Sequence, residues 1–109
     1  MLVAVTAQGP ELDSAVEPRF GRCPYFVLVD TERNVVEAMA NDSASSGGGA
    51  GIAASQALIN RGAKAVITGQ VGPNAMRVLQ EAGIKIYYTN SMTVRAALEQ
   101  WQQGRLTEV

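Results

Sequence analysis

The sequence contains no histidine, and only one cysteine among its 109 residues. The missing histidine excludes a Ser-His-Asp or Cys-His catalytic set, a histidine-ligated zinc or non-haem iron site, and an imidazole general base. A single cysteine excludes an intramolecular disulfide and a self-contained four-cysteine zinc or iron–sulfur site. Charge is sparse and balanced, with nine basic and ten acidic side chains and a net charge of −1. That leaves no basic footprint for general nucleic-acid binding. No apolar run approaches the roughly 18–20 residues that cross a bilayer, so no membrane partner is expected either.

What is present is an ordinary globular composition, 47% hydrophobic, at a length that suits one domain spanning 1–109. Met1-Leu2-Val3-Ala4-Val5 has no basic stretch before it and is stopped by Gln8-Gly9-Pro10. It reads as a first strand rather than a signal peptide, and the expected compartment is the cytoplasm. The Ser43–Gly51 stretch is the one low-complexity segment; with only about 40 residues before it, it reads as an internal loop rather than a linker.

Local patterning predicts the elements in turn. Leu2 to Thr6 is a buried-type strand, followed by a polar loop to Pro18. Tyr25 to Asp30 and Val35 to Met39 flank a short polar turn and predict an antiparallel hairpin. Ala54, Ala57, Leu58 and Arg61 then share a helical face, with Gly62 placed as a C′ residue. Lys64 to Thr68 and Ile84 to Tyr88 are strands. Ala75, Val78, Leu79 and Ala82 fall at i, i+3, i+4 and i+7, and so do Val94, Ala97, Leu98 and Trp101; Gly83 and Gly104 follow these two helices. The order β-β-β-α-β-α-β-α predicts a mixed five-stranded sheet with three helices, parallel in its second half.

In such sheets ligands gather beyond the carboxyl ends of the parallel strands. The segments expected there are the loop 7–22, the Gly-rich 45–51, Gln70 to Asn74, and Thr89 to Thr93. Together they offer helix N-termini, small hydroxyl residues, glycines and two arginines, a chemistry suited to an anion. The competing reading makes the same residues ordinary caps and turns. Gly47-Gly48-Gly49-Ala50-Gly51 lacks the Gly-Lys-Ser/Thr ending of a phosphate-binding loop and follows no dinucleotide-type first strand. Asp13, Asp30 and Asp42 each have a turn or cap explanation, which argues against metal-assisted phosphoryl hydrolysis.

The most distinctive string is Arg19-Phe20-Gly21-Arg22-Cys23-Pro24-Tyr25-Phe26, entering a strand that ends at Asp30. With Ser46 to Gly51 and Gly72-Pro73-Asn74-Ala75, it resembles the dinitrogenase iron–molybdenum cofactor biosynthesis family. That group includes small stand-alone proteins, the NifX and NafY cofactor carriers, and the C-terminal domain of NifB. The resemblance covers Leu2 to about Glu108. It implies a ribonuclease-H-like fold without nuclease activity, and a non-enzymatic carrier of the iron–molybdenum cofactor or its iron–sulfur precursor. Cofactor-assembly proteins would be its partners.

On that reading the cofactor-binding residues are Arg19, Phe20, Gly21, Arg22, Cys23, Ser46, Gly47, Gly48, Gly49, Gly72, Pro73 and Asn74. Relatives place a histidine near the start of the first motif, where this chain has Arg19; an arginine can pair with a polyanion but does not ligate metal. Cys23 is the remaining soft ligand, with cationic neighbours that favour a thiolate. The competing view makes Cys23 a small buried hydrophobe. Because one cysteine cannot complete a cluster, a cluster would arrive preformed, held by a monomer or by a homodimer presenting Cys23 twice. The other reading of the whole chain is a small-anion-binding regulatory or protein-interaction module that meets no cluster.

Overall fold

The structure is a computed structural model describing residues 1–44 and 49–109. Its elements run β1 (Leu2–Ala7), β2 (Tyr25–Asp30), β3 (Val35–Ala40), α1 (Ala50–Arg61), β4 (Ala63–Thr68), α2 (Pro73–Glu81), β5 (Lys85–Tyr88), α3 (Val94–Gln102) and β6 (Thr107–Glu108). They form one sheet in the order β3-β2-β1-β4-β5-β6. The parallel core is β1, β4 and β5, while β2, β3 and β6 run antiparallel to their neighbours. No described helix is long and apolar enough to cross a membrane.

The sheet has six strands, not the five expected from the sequence. The sixth is two exposed residues, too short to show any alternation. It forms because the chain turns back at Gly104 (φ 72°) and lays Thr107 opposite Tyr88 and Glu108 opposite Tyr87. That pairing comes from the path of the chain rather than from any local signal.

Alternating strand residues feed two cores. One lies under α1 and α2, where Phe26, Leu28, Val66 and Ile86 meet Ala54, Leu58, Ala75 and Leu79. The other lies under α3, where Val3, Val5, Val27 and Ile67 meet Val94, Ala97 and Leu98. The result is three layers, with α1 and α2 on one face and α3 on the other. Adjacent Tyr88 and Tyr87 pack against opposite cores, and Tyr87 meets Trp101 edge-on at 6.2 Å.

The β2–β3 turn is held by the Asp30 carboxylate, whose Oδ1 accepts from the Glu32 and Arg33 amides at 3.0 and 3.2 Å. Those amides keep its carboxyl below the usual carboxylate range. Asn34 adopts φ 57°, a conformation asparagine tolerates in turns.

Candidate functional site

The long loop after β1 lies across the carboxyl ends of the parallel strands. It is anchored by bridges from Ala7 to Val16, Ala15 to Thr93 and Arg19 to Gln70, and by the Phe20 amide donating to the Gln70 carbonyl at 3.1 Å. Beneath it is a buried hydroxyl relay. Thr6 Oγ1 is 2.6 Å from the Glu17 carbonyl and 2.9 Å from Thr68 Oγ1. Since Thr6 has one hydroxyl proton, it satisfies the carbonyl and accepts from Thr68.

Gly69 follows β4 directly beneath this loop. A Cβ there would lie 2.7 Å from both Cα and the carbonyl oxygen of Pro18, which accepts from the Gly69 and Gln70 amides at 3.0 and 2.7 Å. Gly69→Ala must therefore push backbone from backbone. The expected loss is about 1–3 kcal/mol, read as a lower urea midpoint at unchanged slope.

A cavity of about 250 Å³ opens between the N-termini of α1 and α2. Phe20 and Ile52 supply its apolar walls, Gly49 caps α1 and Gly51 lies in its first turn, and Gly72 caps α2 with Pro73, Asn74 and Ala75 in its first turn. It is open to solvent, because Gly49, Gly72, Pro73 and Asn74 are all exposed. Both helices begin at a glycine with no side-chain cap and no acidic residue in the first turn. By contrast α3 is capped by Thr93, whose Oγ1 accepts from the Ala96 amide at 3.1 Å. The cavity therefore faces two positive helix ends, with no competing carboxylate among its described lining residues.

The close approach of these two ends depends on small residues. A Cβ on Gly51 would already sit 3.1 Å from Ala75 Cβ, and one on Gly21 would sit 2.8 Å from Gly51 Cα. Gly21, at φ 90°, thus contributes to the cavity by letting the loop lie on the first turn of α1 rather than by lining it. Phe20 is wedged beside it, 5.8 Å from Phe26.

Of the residues anticipated for binding, Phe20, Gly49, Gly72, Pro73 and Asn74 converge on this cavity. Ser46, Gly47 and Gly48 lie outside the described residues. The arginines are exposed and do not line the cavity: Arg19 Nε is 3.5 Å from Glu17 Oε2, and Arg22 Nη1 donates to the Ala44 carbonyl at 3.2 Å. Asp13 pairs with Arg95 at 2.9 Å, and Asp30 serves its turn. Among the described residues no three acidic or cysteine side chains are grouped to hold a metal ion.

Cys23 lies fully buried in the core under α1 and α2. Burial pushes its thiol from the ordinary 9.0 up to about 12, outweighing the donor 3.7 Å away on Asn41. Of the two readings of Cys23, the resting conformation fits the small buried hydrophobe and not the accessible thiolate, because the strand entrance turns Sγ inward and removes it from water. A measurable consequence follows at alkaline pH. Above about pH 9 the unfolded thiol has lost its proton while the native one retains it, so stability falls as pH rises toward 12. The wild type should lose about 1.4 kcal/mol per pH unit across that window relative to Cys23→Ser, measured by denaturant titration.

Asn41 carries no distinguishing sequence pattern, yet it organises this corner. Its Nδ2 donates to the carbonyls of Gly21 and Cys23 at 3.1 and 2.9 Å, and its Oδ1 accepts from Ser43 Oγ at 2.7 Å. A second depression of about 360 Å³ lies at the far end of the rim, where Arg105 is the one charged residue among the described lining. It includes no helix N-terminus.

The profile of a family described as dinitrogenase iron–molybdenum cofactor matches residues 1–104. The apo form of the orange protein from Desulfovibrio gigas is 42% identical, with a TM-score of 0.95 over 99% of this chain and 92% of that one. The structure of a candidate NifB protein from Thermotoga is 36% identical, with a TM-score of 0.87 over 98% and 91% of the two chains. An uncharacterised protein of Methanocaldococcus jannaschii is 27% identical over 97 residues, 86% of this chain and 82% of its own length.

Proposed function

Because the chain belongs to the dinitrogenase iron–molybdenum cofactor family, we propose that it is a carrier rather than an enzyme. Its cargo is an anionic metal–sulfur species, the iron–molybdenum cofactor or an iron–sulfur precursor, received from and passed to cofactor-assembly proteins in the cytoplasm. The same reading takes the three-layer fold as ribonuclease-H-like. The observation that carries the proposal is the open cavity between two uncapped helix ends. Backbone amides of both first turns face an anion there, while Phe20 and Ile52 offer apolar walls to a soft sulfide surface. Arg19 and Arg22 are placed on the same loop to supply charge at longer range. Cargo of this kind arrives with its own bridging sulfides, so the chain need not complete a ligand set. Ligation by Cys23 would require the loop to open, and it is not part of the resting site.

The test separates binding from folding. In Asn74→Asp a carboxylate stands at the first turn of α2, where it favours the helix by about 0.3–1 kcal/mol and repels an anion. Isolated iron–molybdenum cofactor, or a cluster assembled anaerobically from iron and sulfide, is titrated and followed by visible absorption. Asn74→Asp should bind about tenfold more weakly or worse, corresponding to about 1.4 kcal/mol, with its unfolding midpoint unchanged or raised. Cys23→Ser should bind like wild type. Equal binding by Asn74→Asp, or no chromophore in any of the proteins, would overturn the reading. The same cavity geometry favours one alternative, a site for a small oxyanion in a regulatory or interaction module. Inorganic phosphate that binds in the absence of any cluster binding would select it.

A further inference from the structure

The outer edge of β3 has a chemistry the carrier reading does not use. β3 pairs with β2 on one side, in unbroken register from Val35 opposite Asp30 to Ala40 opposite Tyr25. It ends the sheet on the other side, and among the described residues nothing pairs with that edge. Its sequence is Val-Val-Glu-Ala-Met-Ala, with no proline, no lysine and no bulge, and its one charged side chain, Glu37, is neutralised by Arg61 at 2.7 Å, so little blunts the open edge. Five of its six residues are exposed, Val35 at 52% and Val36 at 43%.

We propose that this edge is a self-association surface, occupied by β3 of a second copy of this chain running antiparallel to form a continuous sheet. A two-fold axis perpendicular to the sheet keeps each face on its own side, so only residues of the same facing can stand opposite one another. Centring the axis on Glu37 would place two carboxylates directly opposite, which is unfavourable. Centring it on Ala38 avoids that and still pairs residues 36 to 40 of both strands. On the α3 side, Val36, Ala38 and Ala40 then meet Ala40, Ala38 and Val36 of the second copy, an unbroken apolar strip.

On the other side each Glu37 stands opposite Met39 of the second copy. Within one chain Arg61 already sits at this place, with Nη1 3.7 Å from Met39 Sδ and Nη2 2.7 Å from Glu37 Oε2. The guanidinium beside each Met39 therefore meets the incoming carboxylate from the other copy, twice by symmetry. This charge match selects a second copy over an arbitrary strand. The antiparallel arrangement also points the two strand-end rims in opposite directions. Each copy keeps its own cavity, and the two Cys23 thiols are not brought together.

Sedimentation and amide hydrogen exchange across a concentration series test this directly. Wild type should sediment at twice the monomer mass at high concentration, and protection of β3 amides should rise with concentration. Ala38→Lys, at an exposed position, places two ammonium groups opposite each other across the axis and should weaken association about tenfold or more. Its monomer should retain the wild-type cargo titration. A wild type that stays monomeric with β3 protection independent of concentration overturns the proposal, and so does a dimer that Ala38→Lys leaves intact. If Ala38→Lys does not fold, the concentration dependence of β3 protection in wild type alone decides.

Discussion

Gly21→Ala is expected to lower stability by about 3–4 kcal/mol, two separate costs acting on one atom. The backbone at Gly21 sits at φ 90°, where a side chain adds about 1–2 kcal/mol of strain. Its new Cβ would also lie 2.8 Å from Gly51 Cα and 3.0 Å from the Gly51 nitrogen, both backbone atoms that cannot rotate away. Overpacking of that kind adds about 1–3 kcal/mol. For a domain of this size the melting temperature should fall by roughly 15–25 °C. Cargo binding should weaken as well, because the displaced atoms belong to the first turn of α1 and hence to the cavity wall. Gly21→Asn separates the two causes: asparagine tolerates positive φ but carries the same Cβ, so only part of the loss should return. A midpoint within a few degrees of wild type for Gly21→Ala would mean that loop and helix are not in contact.

Asn41→Asp is expected to be as severe, by a different route. The side chain keeps its shape, but an acceptor replaces the amide that donates to the Gly21 and Cys23 carbonyls. Two buried carbonyls lose their donor and face a carboxylate, a loss of about 4 kcal/mol near neutral pH. The defect should shrink in acid, because a protonated carboxyl restores one donor. Burial against two carbonyls raises the folded-state pKa of this aspartate above its unfolded value. The variant is therefore relatively most stable below the unfolded value and loses that stability as pH rises through the folded one. Urea midpoints for Asn41→Asp and wild type between pH 4 and 8 check this. A gap that does not widen with pH would show that Asn41 does not face those carbonyls. Asn41→Ala should lose about 2–3 kcal/mol with no such pH dependence.

Both variants act on the Arg19–Phe26 string, the most distinctive feature of the sequence, and neither acts through the residues with the most obvious chemistry there. Arg19, Arg22 and Cys23 drew attention because charge and sulfur announce function by residue type. In the fold the arginines stand outside the cavity and the thiol is buried. Gly21 earned its place in the string through backbone packing. Asn41 could not be singled out, because its partners lie 18 and 20 residues earlier and are carbonyl groups that every residue carries.

The parts legible in the sequence are those set by local periodicity and backbone chemistry. The hydrophobic spacing located all three helices, Gly62, Gly83 and Gly104 marked where they stop, and the Asp30–Asn34 turn joined β2 to β3. Five strands and the parallel core followed from the alternation of elements. Family membership was legible too, since three short motifs in order are a property of the string itself. The missing histidine had already removed imidazole from any metal site and left Cys23 as the one soft side-chain ligand besides methionine. Only the tertiary structure decided that β6 exists, that α1 and α2 bring two uncapped ends to one cavity, and that Cys23 faces inward. Those outcomes depend on close contacts between segments far apart in the chain, such as Gly21 against Gly51, Pro18 against Gly69 and Asn41 against Gly21 and Cys23. A sequence records such contacts as unremarkable glycines, an asparagine and a proline.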